Sequence, residues 1–385
     1  MAQSKILLLN QAYPNPSLKD FGNPFVHDRA KMLINHFDLV VVKTGTKEKD
    51  YEYESVKVKC FPSLAEFDKY VEDHKPDLFL IHFCEPWMFT HAILKYNRPG
   101  LIFVHGSEAH SWYRILFILH KNNIKAFGRF IVNNLFSVRN FRRMIKYSNA
   151  TGRIEFAFVS EWMRRITETD TFTKVKNYSV IHNAIDNHLF TFQPKNAEHR
   201  KKILILRSFN SKKYANDISM AAILELSKKP FFNELEFHIY GQGMWWEKET
   251  GKIKRFKNVF LHNQFLNHNQ IKELHKDFGI FLCPTRMDAQ GVSMCEAMSS
   301  GLVPVTSLST AIPEFVKDGY SGFLTTGPGQ IASKVEWLYN HPEKFLDMSK
   351  TASKSIVEIS GVDKVVREEK ELIEKCIQRN KNGIR

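Results

Sequence analysis

Residues 279–324 read GIFLCPTRMDAQGVSMCEAMSSGLVPVTSLSTAIPEFVKDGYSGFL, and this stretch decides the fold. Its first apolar run, Ile280 to Cys283, predicts a short buried strand. After a polar loop, a helix is predicted to begin near Val292 and to end at Gly301, and residues 303–306 predict the next strand. Strand, loop, helix and strand in this order form a βαβ unit of a parallel sheet.

The loop of this unit carries the candidate chemistry, because ligands of parallel α/β sheets bind beside the carboxyl ends of the strands. Asp288 lies in the loop, and Glu296 follows on the predicted helix. Between them, Gln290, Gly291 and Val292 place backbone amides at a helix N-terminus, where they can donate to an anion or to sugar hydroxyls. A helix-capping aspartate and a solvated glutamate are the alternative interpretation of the two carboxylates.

The stretch resembles the donor site of the retaining glycosyltransferases of family 4, which are glycosyl transferases group 1. That family has Glu, seven residues and Glu, followed by Ala-Met-x-x-Gly-x-Pro-Val. Here Glu296-Ala297-Met298 begins a matching run that reaches Pro304 with one extra residue before the proline. Asp288 stands where the family usually has its first Glu, which shortens this side chain by one methylene.

The resemblance implies an α/β fold of the GT-B type, with two Rossmann-like, doubly wound domains facing a cleft. We expect an N-terminal acceptor-binding domain over residues 1–185 and a C-terminal nucleotide-sugar-binding domain over residues 186–361. Residues 362–385 predict a charged amphipathic helix that packs back on the N-terminal domain. Alternating strand and helix signals in the first half agree with this fold, with strands predicted at Lys5–Leu9, Leu39–Lys43, Leu78–His82 and Leu101–His105.

The resemblance also identifies candidate ligands of the donor diphosphate. Arg207 follows a predicted strand over residues 202–206, and Lys213 comes several residues later, with Lys212 beside it. In the family, an Arg and a Lys at about this spacing neutralise the leaving nucleoside diphosphate, whose negative charge grows as the glycosidic bond breaks. Gly22, at the first strand-to-helix junction, is either a further diphosphate neighbour or a turn glycine.

The donor sugar and ribose are assigned by the same resemblance. Asp288 is expected to bind the sugar hydroxyls and Glu296 the ribose, with Gln290, Gly291 and Val292 completing the pocket. Family members hold the nucleotide base near the positions of residues 259–261 and 265–266, mostly through backbone groups.

His105, which precedes Gly106, resembles the histidine of the family's His-Gly pair, which contacts the donor sugar from the first domain. A structural hydrogen-bonding role is the alternative for a histidine at a strand end. His82 ends a predicted strand at the same sheet edge and is a weaker candidate for the acceptor cleft. The candidate catalytic residues are therefore His105, Asp288 and Glu296.

Composition limits the classes of protein that fit. The chain has 385 residues, of which 43% are hydrophobic, enough for two globular domains. No apolar run approaches the roughly 18 residues of a membrane span, and the apolar start is too short for a signal peptide. Five dispersed cysteines indicate reduced thiols in the cytosol and no zinc or iron–sulfur site.

The net charge of +14 is concentrated in residues 111–147, which contain no Asp or Glu. Basic and aromatic residues alternate there, as in segments that bind the headgroups of an anionic membrane. Two helices with solvated basic faces are the alternative. No nucleic-acid partner is predicted, because no recognised binding motif accompanies the charge. The basic residues are Arg114, Lys121, Lys125, Arg129, Arg139, Arg142, Arg143 and Lys146.

The expected function is that of a metal-independent retaining hexosyltransferase. Its donor is a nucleoside-diphosphate sugar, with a UDP-sugar favoured over GDP-mannose, and its acceptor a glycan or a lipid-linked glycan. Polysaccharide or lipopolysaccharide assembly at the inner face of the cell membrane is the expected setting, with no cofactor besides the donor substrate. A catalytically silent GT-B binding subunit and a GT-B epimerase remain open alternatives.

Overall fold

The computed structural model describes residues 3–15, 22–106, 108–120 and 123–381, with the side chains of residues 380 and 381 left out. The chain divides into two compact units. Among the described residues, the first unit takes 3–15, 22–106, 108–114, 123–183 and 363–381, and the second takes 115–120 and 184–362. From the sequence, the boundaries are expected after residues 185 and 361, with residues 115–120 in the first domain.

An eight-stranded sheet forms the core of the first unit. Its strands are β1 (Lys5–Leu9), β2 (Asp38–Thr44), β3 (Tyr51–Tyr53), β4 (Val56–Phe61), β5 (Leu78–His82), β6 (Gly100–Val104), β7 (Ile154–Phe158) and β8 (Tyr178–Val180). Their spatial order is β3-β4-β2-β1-β5-β6-β7-β8. Neighbouring strands run parallel except β3 and β4, which form an antiparallel hairpin at one edge.

The apolar runs of the sequence form the middle of this sheet. β1 and β5 have the predicted bounds, and β6 ends at Val104, so that His105 is the first residue beyond the strand. All five residues of β5 and of β6 are buried, as expected for parallel strands covered on both faces. The helices of this unit, in chain order, are α1 (Pro24–Leu33), α2 (Leu64–His74), α3 (Ile124–Thr151) and α4 (Glu161–Thr171).

The second unit has a six-stranded, wholly parallel sheet with the order β11-β10-β9-β12-β13-β14. These strands are β9 (Lys202–Leu206), β10 (Glu236–Tyr240), β11 (Val259–His262), β12 (Ile280–Leu282), β13 (Val303–Ser307) and β14 (Phe323–Thr325). The helices are α5 (Asn216–Leu226), α6 (Trp246–Thr250), α7 (His268–Asp277), α8 (Val292–Ser299), α9 (Pro328–Asn340) and α10 (Pro342–Ser360). The predicted βαβ unit is β12, α8 and β13, and the predicted α/β class is confirmed.

The last helix, α11 (Val362–Lys381), is joined to the first unit by charge pairs. Glu369 accepts a hydrogen bond from Arg29 of α1 at 3.0 Å, and both side chains are 3% exposed. Further along α11, Arg379 donates to the buried Glu155 of β7 at 3.1 Å. A buried charge needs a partner and further hydrogen bonds, so these pairs fix where the helix lies.

We therefore expect Glu369→Gln to destabilise the first unit by about 3 kcal/mol, because it leaves the buried Arg29 charge without its counter-ion. Denaturation by urea measures the change. The matched control is Glu368→Gln, since Glu368 is a neighbouring glutamate whose side chain is 36% exposed and whose pair with Lys364 spans 3.8 Å. Equal losses in both variants would contradict a special role for the buried pair.

Candidate active site

The loop between β12 and α8 is joined to the segment that carries Lys212 and Lys213. The carbonyl of Lys213 accepts a hydrogen bond from the Arg286 amide at 2.8 Å and another from Thr285 Oγ1 at 3.1 Å. The Arg286 side chain donates two hydrogen bonds to Asp217 at 2.8 and 2.6 Å. The loop and the lysine segment therefore form one element at the carboxyl ends of β9 and β12, where ligands of parallel sheets bind.

Asp288 closes this loop with one carboxylate oxygen and faces Arg207 with the other. Its Oδ1 accepts a hydrogen bond from the Gly291 amide at 2.9 Å, and its Oδ2 lies 3.9 Å from Arg207 Nη1. The Gly291 amide, expected to serve the sugar pocket, is thus already used within the protein. Val292 begins α8, so its amide has no intrahelical partner. The Gln290 side chain is buried.

Arg207, which follows β9, is buried and has more donors than the protein satisfies. Its Nη1 donates to Ser293 Oγ at 3.2 Å, and its Nη2 donates to the Cys283 carbonyl at 3.4 Å. Its Nε has no hydrogen-bond partner among the described residues. A guanidinium has five N–H donors, and each unsatisfied buried donor costs about 1–3 kcal/mol. A bound anion would add acceptors for this under-satisfied group.

Tyr214 brings Arg207 and Lys213 together. The guanidinium carbon of Arg207 and the Nζ of Lys213 each lie 5.5 Å from the centre of the Tyr214 ring. Lys212 instead lies 4.9 Å from the ring centre of Trp245. In the described part of the chain, neither lysine pairs with a carboxylate, so both positive charges are available to a phosphate. The shared ring favours Lys213 over Lys212 as the partner of Arg207.

Glu296 lies in the second turn of α8 and is 9% exposed. Its Oε1 lies 3.9 Å from Nε2 of His268, the first residue of α7. His268 is not among the residues that the sequence predicted for the site. The only local signal there is the capping box of Asn267 and Gln270, which indicates a helix start and carries no information about a partner for Glu296.

A cavity of about 660 Å³ lies along α7, beside the carboxyl ends of β10 and β11. Tyr240, Gln264 and Leu266 are among its lining residues. Asn267 and Gln270 also line it, but each side chain accepts a hydrogen bond from the backbone amide of the other, at 3.0 and 2.9 Å. The cavity adjoins residues 265–266, the predicted surroundings of the nucleotide base.

His105 and Gly22 lie in the first unit, whereas the other candidate residues lie in the second. The His105 ring is 2.9 Å from His82, and the backbone amides of His105 and Gly106 donate to the Glu108 carboxylate at 2.7 and 3.1 Å. Gly22 has a φ of +43°, and a Cβ there would lie 2.3 Å from the Ala12 carbonyl oxygen. The tight turn accounts for Gly22. The ligand roles of both residues stay predictions.

The basic segment 111–147 contains one arginine that is already paired. Arg114 donates to Asp170 from Nε and Nη2 at 2.7 and 2.8 Å, and the Tyr113 hydroxyl donates to the same carboxylate at 2.6 Å. Burial alone would raise the pKa of Asp170, but these hydrogen bonds, with Arg114 contributing most, hold it below its usual range. Arg114 is therefore a structural residue. Lys121, also predicted here, lies outside the described residues.

Helix α3 provides the exposed part of this segment. Phe127 and Phe141 are buried against the unit, whereas Phe136 is 63% exposed. Other apolar side chains are exposed along the same helix, beside exposed arginines and lysines and without any Asp or Glu. These exposed apolar residues are Ile124, Val132 and Leu135, and the exposed basic residues are Lys125, Arg129, Arg139, Arg142, Arg143 and Lys146.

Three further features bear on the chemistry. All five cysteines are described, and each is buried and free of a disulfide. The described residues include no cluster of three or more His, Cys, Asp or Glu side chains that could hold a metal ion. Within the described chain, no helix combines the length and apolar character needed to cross a membrane.

Comparison with known proteins gives a family match for the second unit. Residues 187–355 match the family model described as glycosyl transferases group 1. These residues include Arg207, Lys213, Asp288 and Glu296. No curated protein matches the chain. The predicted resemblance to group 1 glycosyltransferases is confirmed over this part of the chain, and membership of family 4 stays a prediction.

Solved structures match nearly the whole chain. HepE of Anabaena, in complex with UDP and glucose, has a TM-score of 0.68 and 15% identity, over 96% of this chain and 99% of that chain. A glycosyltransferase from Rickettsia africae has a TM-score of 0.73 and 12% identity, over 98% and 99% of the two chains. Sucrose-phosphate synthase from Thermosynechococcus elongatus has a TM-score of 0.74 and 10% identity, over 97% and 99%. At these identities the likeness concerns the fold, and the predicted GT-B fold is confirmed.

The turn that follows β10 packs against the backbone of Arg207 and requires glycine. Gly241 has a φ of +153°, and a Cβ there would lie 2.0 Å from the Arg207 carbonyl oxygen. We expect Gly241→Ala to lower the free energy of unfolding of the second unit by about 3 kcal/mol or more, from backbone strain and the clash together. Thermal and urea denaturation measure the loss. Gly329→Ala on α9, where a Cβ meets no atom within 4 Å, is the matched control and should be neutral or slightly stabilising.

Proposed function

We propose that this protein is a retaining hexosyltransferase that uses a nucleoside-diphosphate sugar as its donor. The observation that carries the proposal is the pair of cations, Arg207 and Lys213, over the Tyr214 ring. The pair lies at the carboxyl ends of parallel strands. Among the described residues, Nε of Arg207 has no hydrogen-bond partner, and Lys213 pairs with no carboxylate. The match of the surrounding residues to group 1 glycosyltransferases supports the same reading.

The chemistry follows from where charge develops. When the bond between the sugar and the β-phosphate breaks, negative charge grows on the leaving diphosphate. Arg207 and Lys213 stabilise that charge, and the under-satisfied guanidinium strengthens its interaction as the charge increases. The two cations supply the positive charge, so the proposed reaction requires no metal ion and no cofactor beyond the donor.

The carboxylates and the helix N-terminus orient the donor. Oδ2 of Asp288 accepts hydrogen bonds from sugar hydroxyls, while Oδ1 keeps the loop closed through Gly291. The Val292 amide donates to the sugar, and Glu296 accepts from the ribose hydroxyls. His105, by the resemblance to the family, is proposed to contact a substrate sugar. Orientation of this kind lowers the barrier because the reacting atoms are held in place before the bond breaks.

UDP is the favoured nucleotide. HepE of Anabaena, which shares the fold, was crystallised with UDP and with glucose. The cavity of about 660 Å³ that Leu266 lines is proposed to hold the base. The acceptor is proposed to be a glycan or a lipid-linked glycan, in the assembly of a cell-surface polysaccharide or lipopolysaccharide.

Titration calorimetry with UDP tests the donor site. We expect Arg207→Ala to weaken UDP binding by about 10- to 100-fold, the effect of losing one or two charge-assisted hydrogen bonds. Lys213→Ala should weaken it more than Lys212→Ala, because Lys213 shares the Tyr214 ring with Arg207. Arg255→Ala is the matched control, since Arg255 is exposed and lies in the same unit.

The results separate the candidate functions. Unchanged UDP affinity in Arg207→Ala would contradict the placement of the diphosphate. UDP binding without transfer to any glycan acceptor would favour the catalytically silent subunit. Two features of Asp288 support that alternative: its side chain is short, and one of its oxygens is already bonded within the loop. Interconversion of two UDP-sugars without an acceptor would favour the epimerase.

We further propose that α3 binds the surface of an anionic membrane, which would place the protein at the cytoplasmic face of the cell membrane. The exposed apolar residues Leu135 and Phe136 lie beside exposed arginines, and no acidic residue on α3 opposes the attraction. Apolar insertion and headgroup attraction act together in such helices. A lipid-linked acceptor would then be presented at the same surface.

Binding to vesicles that contain anionic lipid tests this surface. We expect Arg139, Arg142 and Arg143, replaced together by Gln, to weaken binding by about 100-fold, at about 1 kcal/mol for each charge. The matched control replaces Lys344, Lys350 and Lys354 of α10 by Gln, which removes the same charge from exposed positions in the other unit. Equal losses in the two triple variants would show that net charge alone attracts the protein.

A further inference from the structure

Two histidines of the first unit form a pair that the proposed chemistry leaves unexplained. His82 is the last residue of β5, and His105 is the first residue after the adjacent strand β6. Nδ1 of His82 lies 2.9 Å from Nε2 of His105. The ring centres are 5.2 Å apart and the ring planes differ by 21°, so the contact is an edge-to-edge hydrogen bond between nearly coplanar imidazoles.

The surroundings hold both rings in place and keep them neutral. His82 stacks on Phe103 with centres 4.8 Å apart, and His105 stacks on Phe83 with centres 4.6 Å apart. Burial, the neighbouring His105 and the Arg29 guanidinium lower the pKa of His82 well below its ordinary value. Burial and Arg29 do the same to the pKa of His105. Both rings are therefore neutral at physiological pH, and each carries one N–H. One of these two protons lies in the hydrogen bond between the rings.

The position of that proton follows from the buried edge of His82. The His82 side chain has no exposed surface, and its Nε2 has no hydrogen-bond partner among the described residues. A proton on Nε2 would create a buried donor without an acceptor, which is costly. A proton on Nδ1 is satisfied by His105. His82 is thus the Nδ1–H tautomer, and Nε2 of His105 is the acceptor.

We propose that His82 is a positioning residue, which holds His105 as the Nδ1–H tautomer so that this N–H can donate to a hydroxyl oxygen of a substrate sugar. His105 is partly exposed, and its Nδ1 makes no hydrogen bond to a described residue. A neutral imidazole always has one donor and one acceptor nitrogen, so the bond at one decides the role of the other. The sugar as recipient rests on the proposed function, whereas the tautomer does not.

Nitrogen NMR of the full chain with ¹⁵N-labelled histidine reads the tautomer without any substrate. His105→Gln identifies the His105 signals by their loss. In the wild type we expect Nδ1 of His105 to give a protonated resonance and Nε2 an unprotonated one. In His82→Leu the preference should disappear, and in His82→Asn, whose amide can still donate, it should return. His105 protonated at Nε2 in the wild type, or an unchanged tautomer in a folded His82→Leu, would overturn the proposal.

Kinetics test the consequence. We expect His82→Leu to lower kcat by about tenfold with little change in UDP affinity, because the UDP ligands lie in the second unit, and His82→Asn to recover most of the rate. Full activity in a folded His82→Leu would overturn the positioning role. If the wild type transfers no sugar, the proposed function fails, and the NMR result alone still decides the tautomer. If His82→Leu does not fold, the wild-type spectrum and His82→Asn decide it.

Discussion

The buried guanidinium of Arg29 joins the separate parts of the first unit. It pairs with Glu369 of α11, donates to the His182 carbonyl and to the Asn183 side chain, and lies 4.2 Å from the centre of the Phe103 ring. A buried cation whose donors lack partners is costly, so each of these segments helps to stabilise the others. Burial, together with the same charge, lowers the pKa of the nearby His105 and keeps its ring neutral.

The buried arginine of the second unit differs from Arg29 in how many of its donors the protein satisfies. Arg207 is also buried, but the protein satisfies only part of it: Ser293 and Cys283 accept hydrogen bonds, and the Nε has no partner among the described residues. Arg29 therefore stabilises the fold of the first unit, whereas Arg207 has donors at the end of a strand that the protein leaves unsatisfied. This difference in satisfaction, rather than the presence of an arginine, distinguishes a structural site from a candidate anion site.

Some features had no local signal in the sequence. The β3–β4 hairpin turns through Glu54 and Ser55, which adopt φ values of +45° and +68° without the glycine or asparagine that usually marks such a turn. Arg114 was grouped with the basic residues of the predicted membrane-binding segment because its partner, Asp170, lies on α4, far along the chain. Both features depend on tertiary contacts that outweigh local preference.

The sequence by itself determined the α/β class and most strand positions, because buried parallel strands read as apolar runs and their ligands follow those runs. Its resemblance to group 1 glycosyltransferases added the GT-B fold and the roles of the candidates at the strand ends. Only the tertiary structure decided which groups remain available. It showed that the Gly291 amide is used by Asp288, that Lys213 shares the Tyr214 ring with Arg207, and that His82 lies against His105. The reason is that residue type and spacing specify which atoms can bond, whereas three-dimensional packing decides which of those bonds are already made.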